Sequence, residues 1–114
     1  MNTSQQIEQV EVSIEEAKKQ VELGAAIRRL EGNSDFRKVI SETYFRDEAA
    51  RLAHMSALFH LGKDKLEHIN QQIRAIGELA EFLRIKKMLA ENLEGEIKAH
   101  QETLDELRLE QVEG

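Results

Sequence analysis

Apolar side chains recur every seventh residue from position 69 onward, and this repeat is the strongest pattern in the sequence. Spacing of three and four residues holds a narrow stripe on one side of a helix, and only another helix covers so narrow a stripe. The pattern therefore predicts a long helix that associates with a second one. The first series is Ile69, Ile76, Leu83, Ala90, Ile97 and Leu104, and the second, alternately polar and apolar, is Gln72, Leu79, Lys86, Leu93, His100 and Leu107.

Helical periodicity divides the chain into three predicted helices, at about 5–31, 34–60 and 64–109. The middle one has a broad apolar face and holds four of the five aromatic residues, so we expect the densest core there. That face comprises Phe36, Ile40, Phe45, Ala49, Leu52, Ser56 and Phe59.

Two breaks separate the helices. At the first, Gly32 is the expected left-handed closing residue and Asn33 or Ser34 the N-cap of the next helix. At the second, Asp64 with Glu67 resembles a capping box with Asp in place of Ser or Thr. So short a connection predicts that the second and third helices form an antiparallel hairpin.

The apolar face of the third helix is broad up to about residue 84 and narrow beyond it. We therefore expect a single all-helical domain over 1–114, with a hairpin body at 34–84 and a coiled-coil arm at 85–110. Gly77 is expected where the second helix approaches closely. The first helix either runs antiparallel to the arm and covers it, or folds back on the hairpin and leaves the arm bare. Both arrangements predict an elongated molecule that oligomerises.

Composition supports an almost wholly helical, intracellular protein. The 114 residues include no Pro, no Trp and no Cys, so no proline interrupts a helix and no disulfide or thiolate chemistry is available. The N-terminus has no signal-peptide pattern, and no apolar stretch approaches the ~20 residues of a membrane span. We expect a soluble protein of the cytoplasm, with no membrane partner.

Negative charge is concentrated at the C-terminal end. Residues 91–114 carry eight acidic and two basic side chains, a net charge equal to the -6 of the whole chain. Phosphates would be repelled by such an arm, so we expect no nucleic-acid partner. A solvated helix face is the simpler explanation, and a basic protein surface as partner is the alternative.

Catalytic, cofactor and metal signatures are all missing from the sequence, and we predict no such residues. His60, Asp64 and His68 are spaced by four, but Gly62 interrupts the helix that would align them as metal ligands. The two seven-residue series together form the predicted seam, the line along which the long helix meets its partner helix. His100 belongs to this seam, where a polar side chain most often fixes the register of the two helices. A pH-sensitive contact of His100 is the alternative. The chain is therefore predicted to be no enzyme.

Four stretches resemble small helical proteins encoded by tailed bacteriophages. They are LEGNSDFRKVI at 30–40, YFRDEAARL at 44–52, IRAIGEL at 73–79 and FLR at 82–84, and the resemblance extends over 30–84, about half of the chain. The resemblance implies a protein of the phage particle or of its assembly, acting in the infected bacterium, with no defined active site.

These observations favour a non-enzymatic assembly protein that acts through coiled-coil contacts with itself or with another phage or host protein. The alternative is a small phage-encoded inhibitor or adaptor that binds a host protein through the acidic arm. The predicted interface comprises Ile7, Val10, Ile14, Val21, Ile69, Ile76, Leu79, Leu83, Ala90, Leu93, Ile97, His100, Leu104 and Leu107.

Overall fold

The computed structural model describes residues 2–113, which are helical apart from short breaks around Asn33 and at 57–62. Residues 34–56 are helical without interruption, and we call them the middle helix. No strand occurs within residues 2–113, so the predicted all-helical fold is confirmed. The elements are α1 (Thr3–Gly32), α2 (Ser34–Phe36), a π-helix (Arg37–Glu48), α3 (Ala49–Ser56) and α4 (Lys63–Glu113).

Helix α1 begins earlier than predicted because Asn2 and Gln5 cap it reciprocally. The backbone N–H of Gln5 donates to Asn2 Oδ1 at 2.9 Å, and the backbone N–H of Asn2 donates to Gln5 Oε1 at 3.2 Å. This is a capping box with amide side chains in both roles, and it satisfies two donors that a helix start otherwise leaves free.

The break after α1 takes a single residue. Asn33 is extended, with φ -75° and ψ 131°, and its Oδ1 accepts the N–H groups of Asp35 and Phe36 at 3.0 and 3.1 Å. The prediction of Asn33 as N-cap is thus confirmed. The prediction of a left-handed Gly32 is wrong, because Gly32 still belongs to α1 and no residue in 2–113 has a positive φ.

The middle helix ends at Ser56 rather than near 60. There the N–H groups of Ala57 and Leu58 donate to carbonyls three residues back, at 3.2 and 3.1 Å, which tightens the last turn. Helix α4 begins at Lys63, so Asp64 lies inside its first turn. Asp64 is therefore not the N-cap, and the predicted capping box is wrong.

Contacts divide the chain into two units. The paired unit comprises residues 2–26 of α1 with residues 86–113 of α4, and the hairpin unit comprises residues 27–85. In the hairpin unit, Leu52 of the middle helix is buried with Ile69 and Ile76 of α4, which confirms the antiparallel hairpin. Partly buried residues surround this core: Tyr44, Phe45, Ala49, Met55, Leu61 and Ile73.

Phe59, which was predicted to lie on the broad face of the middle helix, does not pack on this core. Phe59 lies beyond the end of the middle helix and is fully exposed, and Phe82 is 49% exposed. The aromatic residues that do pack on the core are Tyr44 and Phe45, whose ring centroids are 5.9 Å apart.

Candidate interaction surfaces

Helices α1 and α4 run antiparallel within the paired unit. Near one end of the pair, Gly24 lies against Ala90; near the other, Gln111 Nε2 donates to Ser4 Oγ at 2.9 Å. Residue numbers therefore rise along one helix as they fall along the other. Of the two arrangements that the sequence leaves open, the structure has α1 covering the arm of the same chain.

Apolar and charged contacts lie side by side in this pair. Ile14 and Leu104 are buried and line one groove, whose rim includes Glu11 and Arg108. Arg108 Nη2 donates to Glu11 Oε1 at 3.2 Å, an exposed ion pair between the two helices. Exposed pairs of this kind contribute little free energy, so burial of the apolar stripe is the main stabilising contribution.

A glycine sets the closest approach of the two helices. A Cβ placed on Gly24 would lie 2.3 Å from Ala90 Cβ, far inside van der Waals contact. Sequence analysis missed this contact, because an isolated glycine in a helix carries no signal until the facing residue is known. The expected close approach at Gly77 is wrong, since a Cβ there meets nothing within 4 Å.

The predicted interface residues are mostly covered within the chain. In the hairpin unit only Leu79 is exposed, at 38%. In the paired unit none is exposed; the buried ones are Ile14, Ala90 and Leu104, and the half-buried ones are Ile7, Val10, Val21, Leu93, Ile97, His100 and Leu107. The buried ones in the hairpin unit are Ile69, Ile76 and Leu83.

Three apolar side chains on α4 of the hairpin unit face solvent at three-residue intervals. Leu79, Phe82 and Ile85 are 38, 49 and 42% exposed, and we call them the α4 row. The row lies beside the buried Ile76 and Leu83, so α4 is apolar on two adjoining faces of which one is covered. Of the three, the sequence analysis placed only Leu79 in an interface, because Phe82 and Ile85 do not follow the seven-residue repeat.

One polar side chain in the paired unit is poorly satisfied. Gln20 Oε1 is buried without a hydrogen-bond partner in the described part of the chain, and Gln20 lines the same groove as His100 and Lys19. Within residues 2–113, the structure brings together no group of three or more His, Asp or Glu side chains that suits a metal ion. His60 and His68 are both exposed, His60 in the link before α4 and His68 on α4 itself.

Two Glu–Arg pairs at i, i+3 on exposed helix faces shift the ionisation of their carboxylates. Arg51 donates from Nε and Nη2 to Glu48, and Arg84 does the same to Glu81, with both Nε contacts at 3.1 Å. These hydrogen bonds lower the pKa of both carboxyl groups. The side chains of both pairs keep about a third or more of their surface exposed, so the pairs favour the local helix rather than mark a reactive centre.

No protein-family model, curated protein or solved structure matches this chain. Among the described residues, no helix combines the length and the apolar character that crossing a bilayer requires.

Proposed function

We propose that this protein is a non-enzymatic assembly factor that acts through helix–helix contacts, as a structural or morphogenesis component of a tailed bacteriophage. The phage assignment rests on the sequence resemblance. The single observation that supports assembly is the α4 row, three large apolar side chains that are 38–49% exposed on a helix whose neighbouring face is already covered.

The α4 row has the character of a helix-binding surface. Large apolar side chains at regular helical spacing are what one helix inserts between the side chains of another. Scattered exposed apolar residues are ordinary, but contiguous ones beside a packed face are typical of interaction sites. The row therefore supports association with a second helix, on this protein or on another component of the particle.

Sedimentation equilibrium of the full chain tests this proposal. The wild type is expected to sediment above the 13.1 kDa monomer mass, and Leu79→Glu with Ile85→Glu to return it to the monomer. The control, Ala53→Glu with Asn70→Glu, adds the same two carboxylates at exposed positions of the hairpin unit and should leave the mass unchanged. A wild type that stays monomeric alone and together with the other particle components would refute the assembly role.

The second candidate, an inhibitor or adaptor that binds a host protein, rests on the acidic C-terminal part of α4. Acidic side chains such as Glu94, Glu102 and Glu110 are exposed there, although α1 covers the apolar side of the same segment. This candidate predicts a stoichiometric complex with a host protein that weakens as salt rises. Loss of binding on neutralising these three residues, with the α4 row intact, would favour it over assembly.

A further inference from the structure

The middle helix contains twelve consecutive residues in π-helical conformation, Arg37–Glu48. π-Helices are rare and usually occur as a single turn inside an α-helix. A side chain follows the altered register: Thr43 Oγ1 donates to the carbonyl of Lys38, five residues back, at 2.6 Å. In α4, which is α-helical, Thr103 Oγ1 donates instead to Ala99, four residues back, at 3.1 Å.

The spacing of the covered residues explains why this segment is wound so loosely. Four half-buried apolar positions, Phe36, Ile40, Phe45 and Ala49, are spaced four, five and four residues apart. At 3.6 residues per turn, the step of 13 residues from Phe36 to Ala49 makes about 3.6 turns, so an α-helix would place these two positions about 140° apart around its axis. The half-buried positions are Phe36, Ile40, Ser41, Tyr44, Phe45, Glu48 and Ala49.

A π-helix keeps that stripe on one side. At roughly 4.4 residues per turn, a step of four residues falls slightly short of a full turn and a step of five slightly exceeds it. Alternating steps of four and five therefore keep these side chains near one line along the helix. Tyr44 and Phe45 then both pack against the core formed by Leu52, Ile69 and Ile76. The packing of these two rings is thus what the π conformation gains over the α conformation.

We propose that Arg37–Glu48 is a conformational switch that converts between this π-helix and an ordinary α-helix. With α3 held in place, the α form turns Phe36 and Ile40 away from the side of the middle helix on which Phe45 and Ala49 pack, and next to Val39, which is already 59% exposed. The three then occupy positions i, i+3 and i+4 of one solvent-facing side. The π form hides two members of an apolar cluster that the α form presents, and Asn33, the one extended residue before the segment, is where the rotation is absorbed.

A triple substitution that leaves the packed side chains intact tests the switch. Val39→Ala, Glu42→Ala and Thr43→Ala change only exposed positions, raise α-helical propensity and remove the Thr43 hydroxyl. Through-hydrogen-bond NMR couplings should connect residues five apart in the wild type and four apart in the variant. Hydroxyl-radical labelling of Phe36 should rise about twofold, since a half-buried ring becomes exposed.

The matched control is Gln71→Ala, Arg74→Ala and Glu78→Ala, three exposed positions on α4, which should change neither the couplings nor the labelling. If the triple variant does not fold, wild-type relaxation-dispersion NMR decides. The switch requires a minor state with α-helical shifts at 37–48 and not at 49–56. Couplings across four residues in the wild type, an unchanged variant, or no minor state in that second measurement would each overturn the proposal.

Discussion

Gly24→Ala is expected to destabilise the paired unit, although alanine is the better helix former. Alanine at this position gains about 1 kcal/mol of helix propensity. Its new methyl group would however lie 2.3 Å from Ala90 Cβ, whereas carbon atoms at ease are roughly 3.5–4.0 Å apart. Neither methyl group has a rotamer by which to escape, because each Cβ is fixed by its backbone. The two helices must therefore separate.

The expected net loss follows from setting these two effects against each other. Overpacking of a well-packed contact costs typically 1–3 kcal/mol, and a clash between two Cβ atoms belongs near the upper end of about 3 kcal/mol. Subtracting the gain in propensity leaves a net loss of about 2 kcal/mol in the free energy of unfolding. Gly95→Ala in the same unit, where a Cβ meets nothing within 4 Å, should instead gain about 1 kcal/mol.

A reciprocal swap separates the clash from any other effect of the substitution. Ala90→Gly alone loses about 1 kcal/mol of propensity, so simple addition predicts a loss of about 3 kcal/mol for Gly24→Ala with Ala90→Gly. Because the swap leaves one methyl group at the contact, as in the wild type, we expect stability within about 1 kcal/mol of the wild type. The coupling between the two positions should then be about 3 kcal/mol, the full cost of the clash that the swap removes.

Urea unfolding followed by circular dichroism measures these differences, and amide hydrogen exchange localises them. Exchange is needed because the two units need not unfold together. Faster exchange is expected in residues 10–26 and 86–104, with residues 44–76 much less affected. A Gly24→Ala protein as stable as Gly95→Ala, with no coupling in the swap, would refute the close contact and the antiparallel register that depends on it.

Three further predictions concern single side chains. Leu104→Ala should cost about 2–5 kcal/mol in urea unfolding, as a buried leucine leaves a cavity. Gln20→Met should be neutral or gain up to about 1 kcal/mol, because a buried unsatisfied oxygen is removed. NMR titration should find the pKa of Glu81 below the ordinary 4.5, and Arg84→Gln should raise it. Since that folded-state pKa is depressed, the pair's contribution is present above pH 4.5 and is lost as the pH falls through the folded-state value.

The seven-residue repeat predicted the buried line of α4 well because helix geometry alone places such residues on one side. Ile69, Ile76, Leu83, Ala90 and Leu104 are all buried, and Ile97 is half-buried. The repeat carries no information about what covers that line. Two helices with narrow stripes meet equally well within one chain or between chains, so the choice depends on the link at Asn33 and on the register that Gly24 permits.

The middle helix shows a different limit of sequence reasoning. Its apolar residues were assigned to one broad face on the assumption of an α-helix. Residues spaced alternately by four and five do not stay on one side of an α-helix. Phe45 packs on the core because the backbone changes its winding, a tertiary override of local preference. Phe59 was assigned to the same face and is exposed, because the i→i+3 turn after Ser56 ends the helix before it.

Because α1 covers the part of the seam that lies in the paired unit, substitutions there test folding of the monomer rather than assembly. If the seam were the surface between subunits, Ile97→Asp with Leu104→Asp would dissociate an oligomer and leave each chain folded. With Leu104 buried and lining a groove with Ile14 of the same chain, the double variant should instead unfold the paired unit within the monomer. The α4 row variants should do the reverse, because their side chains are exposed in the monomer and their loss removes association without removing folded structure. A seam variant that dissociates subunits yet keeps slow amide exchange in residues 10–26 would place the assembly surface on the seam after all.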